Sequence, residues 1–502
     1  VNVAKFDPSH KDGLTHNSQT PNPKFKLELA MLDFNTVQST VNTTWDDSII
    51  GELTEYIRIP NKSPLFDPDW ASHGYMDDAV DMMVAWASKQ TVRDMSVEVV
   101  RLEGRTPLIY IEVAGQGDNN VVLYGHLDKQ PEMTGWREGL GPWEPVLQDG
   151  KLYGRGGADD GYALYASLTA IRALQEQNIP HANLKLIIEA SEESGSPDLP
   201  YYIDHLADRI GNVDLVVCLD SGCGNYDQLW CTTSLRGMAG GNLHVNVLEE
   251  GVHSGDASGI VPSSFRVLRQ LLSRIEDEMT GKVLIEAMNV EIPNQRVEQA
   301  AYAATVLEDE VWTKFPFVDG MRAADSDLKE LILNRTWRPA LEITGVDGLP
   351  ELGSAGNVLR PQTSAKLSMR VPPSGDARRA TEAMKDMLET DPPYGCEVSF
   401  EIEKSANGWN APALAPWLEQ SLEHASQQWF SKPCAYMGEG GTIPFMGMLG
   451  EKFPAAQFLV TGVLGPASNA HGPNEFLHLN TARRLTGCVS QVLMDHHLHN
   501  AS

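Results

Sequence analysis

The segment LKLIIEASEESGS, residues 184–196, decides how the chain is read. Leu184–Ile188 is a short apolar run of the type buried on both faces in a parallel sheet. It runs into Glu189, Glu192 and Glu193. Two adjacent carboxylates at the end of an apolar strand repel each other, so the fold must compensate them. Neighbouring segments repeat the pattern. VDLVVCLD (213–220) is a second apolar strand that ends in acid, and VVLYGHLD (121–128) ends in His126 and Asp128. DDGYALYASLTAIRALQEQ (159–177) lies between them and has helical apolar spacing. Strands alternating with helices predict an α/β domain with helices on both faces of the sheet.

Outward from this centre, residues 1–45 read as a loose arm, and helical spacing begins in DDSIIGELTEYIRI (46–59). After TTSLRGMAGGNLHVNV (232–247) the character changes to strand–helix followed by strand–helix–strand. This predicts a small α+β module inserted over 236–404. The first domain, 1–235, then resumes over 405–502, where APALAPWLEQSLEHASQQW (411–429) is again helical.

The 502 residues carry a net charge of −29, from 39 basic and 68 acidic side chains. A surface this acidic repels phosphate backbones and anionic bilayers, so neither nucleic acid nor membrane is expected as a partner. No apolar run has the length of a membrane span, and the first 25 residues contain no signal-type apolar core. Six sparse cysteines without zinc-ribbon spacing predict free thiols in a reducing compartment, most simply the cytoplasm. The start at Val1 leaves a removed leader open. DHHLHN (495–500) reads as a solvated helix end.

Chemistry concentrates at the strand ends. His126 and Asp128 are two apart and share one face, which makes Asp128 a natural partner to orient the His126 ring. Asp159 and Asp160 sit where the Gly-rich YGRGGADDGYAL enters a helix, Asp220 closes a strand, and His471 lies in the loop ASNAHGPNEF. In open α/β sheets, sites form at the carboxyl ends of the strands. Two histidines among several carboxylates suit Zn²⁺, with Mn²⁺ or Co²⁺ as alternatives. The ligand count suits two ions sharing one bridging carboxylate. At such a site one of the pair Glu192–Glu193 would ligate metal. The other would stay free to take a proton from an acidified water.

GHLD (125–128), GRGGADD (154–160), EASEESGS (189–196), LDSG (219–222) and AHGPNE (470–475) occur in the order seen in a known family. The chain resembles the dinuclear zinc peptidases and amidohydrolases that include carnosinase-type dipeptidases, glutamate carboxypeptidase, succinyl-diaminopimelate desuccinylase and aminoacylases. The resemblance implies a mixed central sheet with an inserted lid that is also a dimerisation domain. It implies one metal on His126, Asp159 and Asp220, and a second on Asp159, Glu193 and His471. By the same resemblance Glu192 is the general base, Asp128 orients His126, and the Asp159–Asp160 bond is cis.

In GVHSGDASG (251–259), His253 would reach the partner's site and stabilise the oxyanion. Asn357 and Arg370 of the lid, with Thr442 of GEGGTIP (438–444), would bind substrate, Arg370 gripping a free α-carboxylate. There are departures: Gly161 stands where the family has lysine, Lys129 follows GHLD, and Gly438–Glu439 replaces a usual arginine. These are expected to bear on substrate preference. The implied activity is amide hydrolysis by a metal-bridging water on small substrates with a free carboxylate. A dipeptidase or carboxypeptidase is expected first, an N-acyl amino acid deacylase second, and a non-catalytic metal-binding homologue last.

Overall fold

The strands that carry the acidic ends assemble into one six-stranded sheet in the computed structural model, which describes residues 32–501. In chain order the strands used below are β1 (Met95–Val100), β2 (Leu108–Val113), β3 (Asn120–His126), β4 (Asn183–Glu189), β5 (Val213–Cys218) and β6 (Trp230–Leu235). They continue with β7 (Gly237–Asn246), β8 (Ala340–Asp347), β9 (Gln362–Val371), β10 (Glu397–Ala406), β11 (Ala435–Glu439) and β12 (Gln457–Val460). The central order is β1-β2-β4-β3-β5-β12. The β4-β3-β5-β12 part is parallel, while β1 and β2 add an antiparallel edge. The sheet is therefore mixed, as the sequence resemblance implied. His126 pairs with Glu189, and Tyr124 pairs with both Ile187 and Cys218. The carboxyl ends of three parallel strands are thus aligned at one rim.

The helices used below are α1 (Phe34–Thr44), α2 (Ile50–Arg58), α3 (Tyr75–Ala87), α4 (Ala163–Glu176), α5 (Ser264–Ile275), α6 (Asn294–Leu307), α7 (Leu328–Thr336), α8 (Ala377–Glu389), α9 (Pro416–Phe430) and α10 (Leu479–Ala501). α4, with α1–α3, α9 and α10, covers one face of the sheet through a large apolar core. Leu199, Tyr202, Phe445 and Leu449 belong to a second core on the other face. None of the described helices is long and apolar enough to cross a membrane. All six cysteines are free, and five are buried.

The expected arm to residue 45 is corrected over its described part. Phe34, Val37, Val41 and Trp45 recur at helical spacing beneath a Thr- and Asn-rich surface, and they fold as α1 and its continuation. Val37, Val41 and Trp45 are buried, and the Trp45 indole donates to Thr486 Oγ1 at 3.1 Å. The rest of that expectation lies outside the described residues. DHHLHN is also not simply solvated, because His496 is buried with its Nε2 2.7 Å from Asp214 Oδ1.

The inserted segment holds an antiparallel sheet, β8-β9-β7-β10. α5 and α8 bury its apolar face through Val267, Leu271, Ala380 and Met384. The middle of the insertion goes elsewhere. α6 and α7 pack Ala300, Ala303, Ile332 and Leu333, with Trp337, against Trp230, Ala435 and Met437 of β6 and β11. Arg296 fastens this contact, donating to Asn410 Oδ1 at 3.0 Å and to the Ala411 carbonyl at 2.7 Å. Residues 236–404 therefore divide between that sheet with its helices and a packing against β6 and β11. Local pattern announces a helix but not the sheet it will cover, so the sequence reading joined the two.

Candidate metal centre

Each candidate ligand reaches the rim for a local reason. β3 ends at His126. Asp159 is buried in the loop after Gly156, and its bond to Asp160 is cis. Glu192 and Glu193 open a single 3₁₀ turn just beyond β4. His126, Asp159 and Asp220 offer ligand atoms within 4.8 Å of one another, and so do Asp159, Glu193 and His471. Asp159 belongs to both groups. His126 Nε2 lies 3.5 Å from Asp159 Oδ1 and 3.8 Å from Asp220 Oδ1. His471 Nε2 lies 3.1 Å from Asp159 Oδ2 and 3.3 Å from Glu193 Oε2. Glu192 is in neither group.

The electrostatics are those of crowded acids. Burial, then Asp159, pushes Glu193 up to about 8. Burial raises Asp220 to about 6 against the pull of His126. Burial, then Asp220, holds Glu192 well above the carboxylate range. Desolvation works against charge on His471, yet Asp159 and Glu193 raise it to about 9. Asp159 moves the other way: burial opposes its charge, but His126 and His471 hold its pKa far down. His126 Nε2 and Asp159 Oδ2 are buried without a hydrogen bond. Divalent cations would accept these orphaned atoms and keep the carboxylates ionised and the imidazoles neutral. Oxygen and imidazole donors in two groups that share a carboxylate fit a dinuclear metal site.

A frame of residues holds this set. Asp128 lies behind His126, its main-chain oxygen 3.1 Å and its carboxylate 3.5 Å from Nδ1. The same carboxylate accepts the amides of Glu192 and Glu193 at 3.0 and 2.9 Å. It thus positions the glutamate turn as well as the histidine. Gln130 donates to Glu193 Oε2 at 2.6 Å. Glu189 is buried and takes hydrogen bonds from Tyr124 at 2.6 Å and Ser196 at 2.8 Å.

The sequence reading missed the pair Arg155–Glu475. Both are buried and form an ion pair. Arg155 also donates to the carbonyls of Gly472 and Pro131 at 2.8 and 3.2 Å, while Glu475 accepts the Gly156 amide at 2.8 Å. Three loops, carrying Asp128, Asp159 and His471, are thereby tied together. The signal available was the position of both residues inside the quoted motifs GRGGADD and AHGPNE.

Among the described residues, the remaining candidates make no hydrogen bond or ion pair with the metal-ligand candidates. His253 is exposed on the short strand Val252–His253 of the insertion. Asn357 is exposed, and its carbonyl accepts the Ser254 amide at 2.9 Å. Arg370 is half-buried on β9, and Thr442 donates its hydroxyl to the Arg236 carbonyl at 2.5 Å. Two expected specificity departures prove to be packing. Lys129 is fully buried and donates to the carbonyls of Tyr56 and Ile59 at 2.7 and 2.8 Å. A β-carbon on Gly161 would meet the Tyr56 ring at 2.3 Å.

The model of the peptidase family M20/M25/M40 matches residues 122–495. Over 437 residues the chain is 27% identical to a cysteinylglycine-S-conjugate dipeptidase of Corynebacterium striatum, covering 86% of this chain and 91% of that protein. It is 30% identical over 365 residues to the Beta-Ala-His dipeptidase of Homo sapiens, covering 69% of each. Among solved structures, the di-peptidase Dug1p from Saccharomyces cerevisiae superposes with a TM-score of 0.71 at 20% identity, over 93% of this chain and 99% of that one. The M20 family metallo-carboxypeptidase Sso-CP2 from Sulfolobus solfataricus gives 0.72 at 19% identity, over 89% and 98%. Those likenesses carry the fold, and the sequence match runs from the strand that bears His126 to the helix beyond His471, so the chain belongs to the peptidase family M20/M25/M40.

Proposed function

We propose that the chain is a dinuclear zinc dipeptidase or carboxypeptidase acting on small peptides with a free carboxylate. One observation carries this reading. Asp159 is shared by the two ligand groups, and Glu192 stands beside them outside both. His126, Asp159 and Asp220 would hold one ion, and Asp159, Glu193 and His471 the other. Bound there, two zinc ions would supply acidification of a water and polarisation of the scissile carbonyl. Glu192 takes the proton of the attacking water and returns it to the leaving amine. Arg370, Asn357 and Thr442 orient the substrate through its carboxylate.

His253 is exposed on the insertion, which supports its use across a homodimer, where it donates to the oxyanion of the partner's site. The two relatives matched in sequence above are dipeptidases, which favours that activity over deacylation of N-acyl amino acids. Six free thiols support a reducing compartment such as the cytoplasm. The test is hydrolysis by the zinc-reconstituted protein of dipeptides, their C-terminal amides and N-acyl amino acids. Dipeptides are expected to be cleaved and their amides spared. Preferential cleavage of N-acyl amino acids would replace this reading with the deacylase.

A further inference from the structure

The loop Glu439–Thr442, whose Thr442 is assigned above to the substrate's carboxylate, is framed by cations. Arg236, at the junction of β6 and β7, is buried and points its guanidinium at main-chain oxygens. These are Gly440 at 3.3 Å, Asn334 at 3.1 Å and Arg338 at 3.0 Å. Arg335 lies against the same glycine. A β-carbon on Gly440 would fall 3.0 Å from the Arg335 carbonyl and 3.4 Å from its Cγ. The Arg335 head finds only Met437 Sδ, at 3.2 Å.

Arg370 pairs in register with Met238, two residues along from Arg236, so the two arginines are diagonal neighbours on one face. Arg236 is held down at about 9 by burial and by the guanidinium groups of Arg370 and Arg335. Lys314 is the fourth cation. Among the described residues none of the four makes an ion pair.

Arg335 and Lys314 line a cavity of ≈ 600 Å³ with Glu310 and Glu439, between apolar walls that include Phe315 and Leu464. The cavity shares its loops with the metal ligands. One wall begins at Cys223, three residues after Asp220, and another ends at Asn469, two before His471. Glu439 reaches the same loop, its Oε1 lying 2.7 Å from where a β-carbon on Gly222 would be. Glu310 and Glu439 offset two of the four cations, and the substrate's α-carboxylate offsets a third. One positive charge is left over beside a partly desolvated space, in a chain whose net charge is −29.

We infer that this cavity receives the side chain of the residue bearing the free carboxylate and selects an acidic one, aspartate or glutamate, through Arg335 and Lys314. The inference rests on the peptidase reading above. A carboxylate at the end of a side chain beside the Gly440 loop completes the charge balance. The apolar walls accommodate its methylenes.

The test compares kcat/KM of the zinc-reconstituted protein on Ala-Glu, Ala-Gln, Ala-Asp, Ala-Asn and Ala-Leu. The acidic member of each isosteric pair is expected to lead its amide by about tenfold, the worth of one charge-assisted hydrogen bond. The lead should shrink as salt rises. Arg335→Met is expected to bring the acid-to-amide ratio towards one. Lys314→Gln, at an exposed position that does not endanger folding, should lower it in part. Equal turnover of acid and amide, or a ratio that neither variant moves, overturns the inference while leaving the peptidase reading intact. Failure to cleave any of the dipeptides with zinc verified bound removes the peptidase reading, and this inference with it.

Discussion

Glu192 and Glu193 are neighbours in sequence with different neighbours in space. Glu193 meets His471 and Gln130, whereas Glu192 belongs to neither ligand group. Glu192→Gln is therefore expected to leave zinc stoichiometry at two while kcat falls by about 10²–10⁴-fold or more. Elemental analysis and steady-state kinetics on the same sample check this, and loss of metal would reassign Glu192 as a ligand. Asp128 serves both the His126 ring and the glutamate turn. Asp128→Ala should weaken zinc binding by about 10–100-fold, measured by competition with a chelator.

At this scale much of the site was legible. Ligand-type residues at successive strand ends are few, and each sits inside a short motif. The supporting residues were less so. Nothing local distinguishes Lys129 as a buried ammonium, because the Tyr56 ring beneath it, 3.8 Å from Nζ, comes from a helix 73 positions earlier in the chain. That same ring occupies the space beside Gly161, so the two departures from the family pattern are one packing arrangement.

At the scale of elements, the Arg155–Glu475 pair locks the loops that leave the paired strands Lys151–Tyr153 and Phe476–His478. Arg155→Met leaves Glu475 buried and without its counter-charge, which is expected to cost about 3–5 kcal/mol by chemical denaturation. The strand-end cluster has a pH signature of its own. Glu189, raised to about 7 chiefly by burial, joins Asp220 at about 6 and Glu193 at about 8. Each binds its proton more tightly in the fold than in the unfolded chain, where carboxylates titrate near 4. The metal-free protein therefore has this contribution in full below about pH 4 and loses it progressively as pH rises from there through about 6 to 8. Its Tm should fall over that range, and saturating zinc should abolish the fall. A metal-free Tm that rises from pH 5 to 8 would contradict the crowding described for the site.

For the whole molecule, the reading of His253 needs two chains. His253→Ala and Glu192→Gln are each expected to be nearly inactive, yet heterodimers of the two should regain part of the activity, because one of their two sites carries neither change. Mixed dimers verified by mass and without turnover would count against a shared site. The fold's outline came from periodicity. Apolar strands separated by amphipathic helices specify the layers, and the Gly-rich stretch at 236–241 marks the exit into the insertion. The path of the insertion was not legible, since α6 and α7 owe their position to Trp230, Ala435 and Met437, residues outside it.

That path means the insertion is not a cassette. A chimera that exchanges 236–404 wholesale for a relative's segment would strip Trp230 and Met437 of their cover. A graft that keeps 294–337 with the host and swaps only the flanking sheet and its two helices respects the seams the chain has drawn.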